Sequence, residues 1–479
     1  MRNLKGIGVV KLTCTLIISS LCAFSCQKAP VPPNIVLILA DDLGWRDTGF
    51  MGSAYYQTPY LNQLAEKGLV FDQAYAAAAN CAPSRACLMT GRNTPFHGIY
   101  TVGTAERGDH SLRRIIPVEN MTSLDTSFYC LAEALQEAGY ATIHVGKWHL
   151  GADPLDHGFD HNVGGGHWGN PGSYFAPYGK PPLEAPEGEY LTERLTEEAV
   201  EMIIRKKDRP FYLYLPYYTV HTPIEPKAEA RARYESMEAA ACQDRPDYAG
   251  MVDALDRGVG RIMQELRRQG LEEHTLVIFS SDNGGIRSIS CQDPLRAGKG
   301  SYYEGGIRVP LVFHWPGVIG PGRSKVPVSH LDFFPTLIDV CGLEPGNDLD
   351  GISLWPLLKQ GSDLPERSLF FHFPVYLQAY DVREDQGRDP LFRTRPGSVI
   401  RKGPWKLHYY YEDEKCELYM LDTDPGEKEN LSSLNVEKTE ELLTELKNWL
   451  QDYQAPVVFE ENPLFDAAHE SEMIRKALH

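Results

Sequence analysis

Four short runs constrain this chain more than any other feature. Residues 34–40 (Asn-Ile-Val-Leu-Ile-Leu-Ala), 140–145, 211–215 and 275–279 are each dominated by apolar side chains. A continuous apolar run of this length reads as a strand buried on both faces, the kind that builds parallel sheets. Between and beside them, residues 58–69, 127–138, 189–206 and 248–269 carry helical patterns. Strands alternating with helices predict an α/β domain with a central, mainly parallel sheet. Each run also delivers polar groups: Asp41 and Asp42, then Lys147 and His149, then His221, then Asp282 and Asn283. Ligands of open α/β sheets bind outside the carboxyl ends of the strands, so four such endings predict one shared site.

The residue types narrow the chemistry. Two adjacent carboxylates after a buried strand are costly unless a cation or hydrogen bonds hold them. Asp is also a good helix cap, but the pair favours a metal, and hard oxygen ligands indicate Ca²⁺ or Mg²⁺. Lys147 and His149, two apart in an extended segment, face the same way. Cys81 stands just before a helix that Pro83 is suited to start. Taken alone it reads as a disulfide half, a buried small hydrophobe or a metal ligand. Beyond the first 26 residues the chain holds seven scattered cysteines and no CxxC pair, which is neither a disulfide framework nor a zinc site.

The stretch 81–92, Cys-Ala-Pro-Ser-Arg-Ala-Cys-Leu-Met-Thr-Gly-Arg, changes the reading of Cys81. It resembles the signature of type I sulfatases, in which the cysteine is oxidised to formylglycine. Gly146-Lys-Trp-His149, the His221-x-Pro-x-x-Pro226 string and Gly298-Lys-Gly300 resemble the same family, in order, over about residues 34–310. The resemblance implies an alkaline-phosphatase-like α/β sandwich, and one Ca²⁺ held by Asp41, Asp42, Asp282, Asn283 and the modified Cys81. It also implies removal of sulfate from a sulfuric ester. The hydrated aldehyde at 81 would be the nucleophile, giving a covalent sulfo-enzyme. Arg85, Lys147 and Lys299 would offset the sulfate charge, His221 would protonate the leaving oxygen, and His149 would help release sulfate. A formylglycine-generating maturation enzyme is then a required partner. Phosphonate and phosphate diester hydrolases of the same superfamily are the alternative, and a non-enzymatic lipoprotein that binds sulfated glycans is a weaker one.

The remaining features set organisation and address. Residues 1–26 read as an export signal: Arg2, Lys5 and Lys11 precede an apolar stretch too short to span a bilayer. Leu21 to Cys26 resembles a lipobox, so Cys26 is the expected lipid anchor and the periplasm or membrane surface the expected location; plain cleavage and release is the alternative. A formal net charge of −18 argues against nucleic acid as a partner. Composition shifts after about residue 358, which predicts a catalytic domain over 27–365 and a C-terminal subdomain over 366–479. That subdomain is expected to hold a small antiparallel sheet and a core-facing helix carrying Leu442, Leu443, Leu446, Trp449, Leu450 and Tyr453. A sulfated carbohydrate, handled exo-fashion as a galactose-type or amino sugar, is the expected substrate. His97, His167, Trp168, His372, Arg393 and Arg395 are candidates to contact it, though each has an ordinary surface reading.

Overall fold

The computed structural model describes residues 32–344, 348–457 and 459–478. The expected export signal and Cys26 lie outside the described residues. Eight strands form the main sheet: β1 Asn34–Ala40, β2 Leu69–Phe71, β3 Ala141–Val145, β4 His161–Val163, β5 Phe211–Pro216, β6 Thr275–Ser281, β7 Leu311–His314 and β8 Gly322–Ser324. Their order across the sheet is β8-β2-β7-β6-β1-β5-β3-β4. From β6 to β4 neighbours are parallel, and β7 runs antiparallel to β6.

The alternation of a strand explains the layers. Along β1, Val36, Ile38 and Ala40 enter one apolar core, and Ile35, Leu37 and Leu39 enter another. Helices Leu191–Lys206 and Pro246–Arg268 cover the first face with Leu195, Ile203, Leu255 and Ile262. Helices Cys81–Thr90, Leu131–Glu137 and Phe333–Val340 cover the second. Each fully buried aliphatic side chain here contributes about 1.5–3 kcal/mol relative to exposure. The four runs read as buried strands are therefore the centre of a three-layer sandwich.

Three expectations shift. The helix expected over 127–138 begins only at Leu131, because Asp125 Oδ1 accepts the Ser127 N–H in a local turn and Glu133 caps the Cys130 N–H. The helix expected over 58–69 stops at Lys67, and Leu69 already belongs to β2. Cys242 and Cys291 form a disulfide, with Cα atoms 5.8 Å apart, where the cysteine count suggested no framework.

Beyond residue 366, four antiparallel strands follow: β9 Ser368–Phe373, β10 Gly397–Lys402, β11 Trp405–Tyr410 and β12 Cys416–Met420. Helix Val436–Asp452 packs Leu442, Leu446 and Leu450 onto the outer side. On the inner side Leu369, Phe371, Phe373 and Val399 share an apolar cluster with Tyr75, Tyr302 and Ile307 of the main body.

Candidate active site

All four polar endings meet at the carboxyl edge of the parallel strands. Two approaches in this region leave no room for a side chain. A Cβ on Gly146, which has φ +122°, would collide with the Pro216 carbonyl, and one on Gly284 with the Gly305 carbonyl. Asp42 and His149 adopt left-handed backbone, with φ 61° and 63°. That conformation is costly for residues with a side chain, and such strain clusters at functional sites.

The centre is a dense charge network. Lys147 Nζ donates to Asp41 Oδ2 and Lys299 Nζ to Asp42 Oδ2, both at 2.7 Å. Arg85 donates through Nε and Nη2 to Asp282 Oδ2 at 3.0 and 2.8 Å, and through Nη1 to the Lys147 carbonyl. Cys81, the first residue of its helix, places Sγ 3.3 Å from Asp41 Oδ1 and 3.7 Å from Asp42 Oδ1. His221 Nδ1 donates to the Thr222 carbonyl, leaving Nε2 3.5 Å from Asp42 Oδ2. His221 is the member of this group that faces outward, 16% exposed.

Burial and neighbouring charge tune these groups. Burial pushes Asp41 up to about 7, against the pull of Lys147. Burial also opposes the charge on Asp42, but Lys299, His221 and Lys147 together hold it well below the usual carboxylate range. Burial and the charge of Lys299 press His221 down to about 3, and burial with Lys147 and Arg85 holds His149 low as well. Burial and Asp282 raise the Cys81 thiol, so its sulfur is neutral rather than a thiolate.

The donors fit a hard divalent cation. Ligand atoms of Asp41, Asp42, Cys81 and His221 lie within 4.8 Å of one another. Asn283 Nδ2 donates to Asp42 Oδ1, while the buried Asn283 Oδ1 has no partner among the described residues. The two carboxylates of this group and the orphaned amide oxygen, with Asp282 beside them accepting the Asp42 N–H at 3.2 Å, are the kind of oxygen set that Ca²⁺ or Mg²⁺ takes. Three carboxylates against Arg85, Lys147 and Lys299 leave the centre near neutral. A divalent ion would make it cationic, as an anionic ester requires.

The other predicted contacts separate. His167 is exposed on the 164–169 loop beside Trp168, and that loop closes over the catalytic side: the Gly166 carbonyl accepts the His149 N–H, and Gly169 lies against the His149 ring. Arg393 supports the centre from behind: Nη1 donates to the Lys299 carbonyl at 3.0 Å, and its guanidinium lies 3.4 Å from the Tyr380 ring centroid. His97, His372 and Arg395 are buried and committed to the protein. His97 Nδ1 accepts the Ile99 N–H and its ring abuts Cys87; His372 bonds Ser398 and the Pro456 carbonyl; Arg395 pairs with Asp389, Glu412 and Glu470. Held this way, they present no free donor to a sugar, which corrects that expectation for these three. One neighbour escaped sequence reading: Arg107, partly buried and close enough to Cys81, Arg393 and Tyr380 to feel their charge. It sits in a loop with no motif to mark it.

The sandwich, with a cation site and a cationic cradle at one sheet edge, defines a hydrolase of anionic esters. Residues 33–343 match the sulfatase family model, and residues 298–456 match the N-sulphoglucosamine sulphohydrolase C-terminal model. A sulfatase of Formosa agariphila is 33% identical over 92% of this chain and 93% of its own length. Human N-acetylgalactosamine-6-sulfatase is 31% identical over 90% of this chain and 87% of its own. The crystal structure of Ps i-CgsB superimposes with a TM-score of 0.73 at 32% identity, covering 93% of this chain and 98% of that one; the same protein is known in complex with k-i-k-neocarrahexaose. The chain belongs to the sulfatase family of formylglycine type. It has the alkaline-phosphatase-like fold and is a sulfuric ester hydrolase.

Proposed function

We propose that this protein removes sulfate from a sulfated carbohydrate, acting exo-fashion on a galactose-type or amino sugar, with residue 81 matured to formylglycine and one Ca²⁺ bound. The observation that carries this reading is Cys81 itself, buried at a helix start between three carboxylates and three cations. As an unmodified thiol it is neutral and a poor nucleophile. As formylglycine hydrate it would supply a hydroxyl that attacks sulfur, and the aldehyde can reform as sulfate departs. A cation held by Asp41, Asp42, Asp282 and Asn283 would neutralise sulfate oxygens.

The chain's own residues do the rest. Arg85 fixes Asp282 through two hydrogen bonds and joins it to the Lys147 backbone. Lys147 and Lys299 stand on either side of the carboxylate pair, where they meet the charge of an incoming sulfate. His221, with Nδ1 fixed on the Thr222 carbonyl, turns Nε2 toward the open side; burial and Lys299 hold the ring neutral, so Nε2 has to take up a proton as the anionic ester offsets Lys299 before it passes that proton to the departing sugar oxygen. His167 and Trp168 offer contacts to the sugar. The names of the curated relatives and the carrageenan-type ligand of the structural relative support a carbohydrate. The Cys242–Cys291 disulfide supports an oxidising compartment, in line with export.

The test is a substrate panel of sulfated monosaccharides, an aryl sulfate and a phosphonate ester, run on His221→Ala beside the parent. Turnover is expected on sulfated galactose-type or amino sugars and not on the phosphonate. His221→Ala should lose about 10²–10⁴-fold on the sugar and far less on the aryl sulfate, whose leaving group needs little protonation. Equal losses on both would remove the acid role, and faster turnover of the phosphonate would overturn the assignment.

A further inference from the structure

A cavity of about 820 Å³ is walled by Arg46, Arg287, Arg296 and Lys428 with Asp293 and Glu427. In a chain with a net charge of −18 this concentration of cations is against the general trend. The two carboxylates do not cancel it. Glu427 is consumed from behind, accepting from Lys406 at 2.9 Å, His408 at 3.2 Å and the Glu304 N–H at 2.6 Å. Among the described residues the Asp293 carboxylate answers only Arg287, through one 2.7 Å contact to Nη2. The buried Nη1 of the same guanidinium has no partner among the described residues. Arg46 donates to the Asp293 carbonyl, and Arg296 to the carbonyls of Gln386, Gly387 and Glu427 and to the Tyr419 hydroxyl. Among the described residues neither makes an ion pair.

The cavity is tied to the reacting centre by the chain. Arg46 follows Asp42 by four residues, Arg287 follows Asn283 by four, and Arg296 precedes Lys299 by three. Even fully extended, these segments span at most about 10–14 Å. The loops also touch: the Gly285 carbonyl accepts the Lys299 N–H, and Gly298 lies against the Arg287 nitrogen. The Cys242–Cys291 disulfide and the Arg46–Asp293 hydrogen bond hold the 286–293 loop in place. An anion here therefore sits within reach of a short oligosaccharide whose reacting sulfate is at residue 81.

We infer that this cavity is a second anion subsite, which takes a sulfate or carboxylate on a neighbouring sugar of the same glycan. The natural substrate is then a chain with more than one anionic group. This rests on the sulfatase reading above and goes beyond it, because the catalytic residues need only one sulfate. Guanidinium groups suit the task, since they meet oxyanions with paired donors.

The test uses Arg287→Ala combined with Lys428→Ala, and Arg287→Lys as the charge-retaining variant. With residue 81 intact, kcat/KM on an aryl sulfate should be unchanged, which also shows that the variants fold. In a Cys81→Ala background, calorimetry measures binding of a k-i-k-neocarrahexaose and of a chondroitin 6-sulfate tetrasaccharide. The double variant should bind the better of the two about tenfold more weakly or worse, the loss of one charge-assisted hydrogen bond. Its affinity should also depend less on salt, and Arg287→Lys should recover part of the loss. A double variant that binds as the parent does, or a Cys81→Ala parent that binds neither oligosaccharide, would overturn the subsite. Absence of aryl sulfatase activity in the mature parent would instead count against the catalytic assignment.

Discussion

Asn283 is the residue at which the proposed metal site is most directly open to test. Its amide nitrogen is spent on Asp42 and its buried oxygen on nothing described. Leaving such an acceptor unmade costs about 1–3 kcal/mol, a cost that the proposed metal ion would remove. Around it, Lys147 and Lys299 hold Asp41 and Asp42, pairs a cation has to share. Asn283→Ala should leave the protein folded and weaken binding of the proposed Ca²⁺ by about 1–3 kcal/mol, roughly fivefold to 150-fold. Metal content after dialysis and the shift of Tm on adding Ca²⁺ check it. Unchanged Ca²⁺ affinity would remove Asn283 from the ligand set. Asp41, Asp42, Lys147, His149, His221, Asp282 and Asn283 are legible in the sequence because each follows an apolar run within a few positions, whereas Cys81, Arg85 and Lys299 are marked only by their resemblance to sulfatase motifs. His97, His372 and Arg395 were misread for the opposite reason. Their partners, Cys87, Ser398 and Glu412 among them, are brought to them by tertiary packing, which single residue types do not announce.

At the scale of elements, the sequence was most informative where a strand is buried on both faces. β1, β5 and β6 read directly, since nothing polar interrupts them. Edge strand β4 is three polar-flanked residues, and β8 is largely exposed, so neither has a hydrophobic signature. The Cys242–Cys291 link was hidden too, because pairing depends on where two loops meet and not on spacing. That link closes a segment of 49 residues and fastens the loops beside Asp47. Asp47 in turn accepts from the Gly44 N–H at 3.0 Å and the Tyr248 hydroxyl at 2.7 Å, behind the carboxylate pair. Replacing both cysteines by serine should cost about 2–4 kcal/mol, mainly by freeing the unfolded chain. Urea unfolding of the variant, and of the parent with and without reductant, measures this. Equal stability in all three would mean the bond adds nothing to the fold.

For the whole molecule, the question is whether the C-terminal sheet is an appendage or part of one cooperative body. The described residues from Pro32 onward form one compact unit, and the contact surface contains charge as well as apolar side chains. Lys406 of β11 is fully buried between Glu304 of the main body, at 3.0 Å, and Glu427, at 2.9 Å. Glu304 also accepts from the Tyr75 hydroxyl, in the segment leading to Cys81. Removing one member of a buried ionic network leaves the others uncompensated, at about 3–5 kcal/mol. Lys406→Met should therefore lower stability by that amount and still unfold in one transition; a separate early transition would make the sheet an independent domain. The surplus carboxyl gives a pH test. Burial raises Glu427 to about 7 from an ordinary 4.5, against the pull of Lys406. The folded protein thus holds this proton more tightly than the unfolded chain. Its contribution to stability is present below about pH 4.5 and is lost as pH climbs toward 7. Glu427→Gln cannot titrate there, so its stability relative to the parent should rise between pH 5 and pH 8. Denaturant unfolding of both proteins at the two pH values decides it: a constant difference would mean that Glu427 keeps its charge throughout, matched by Lys406 and its neighbours.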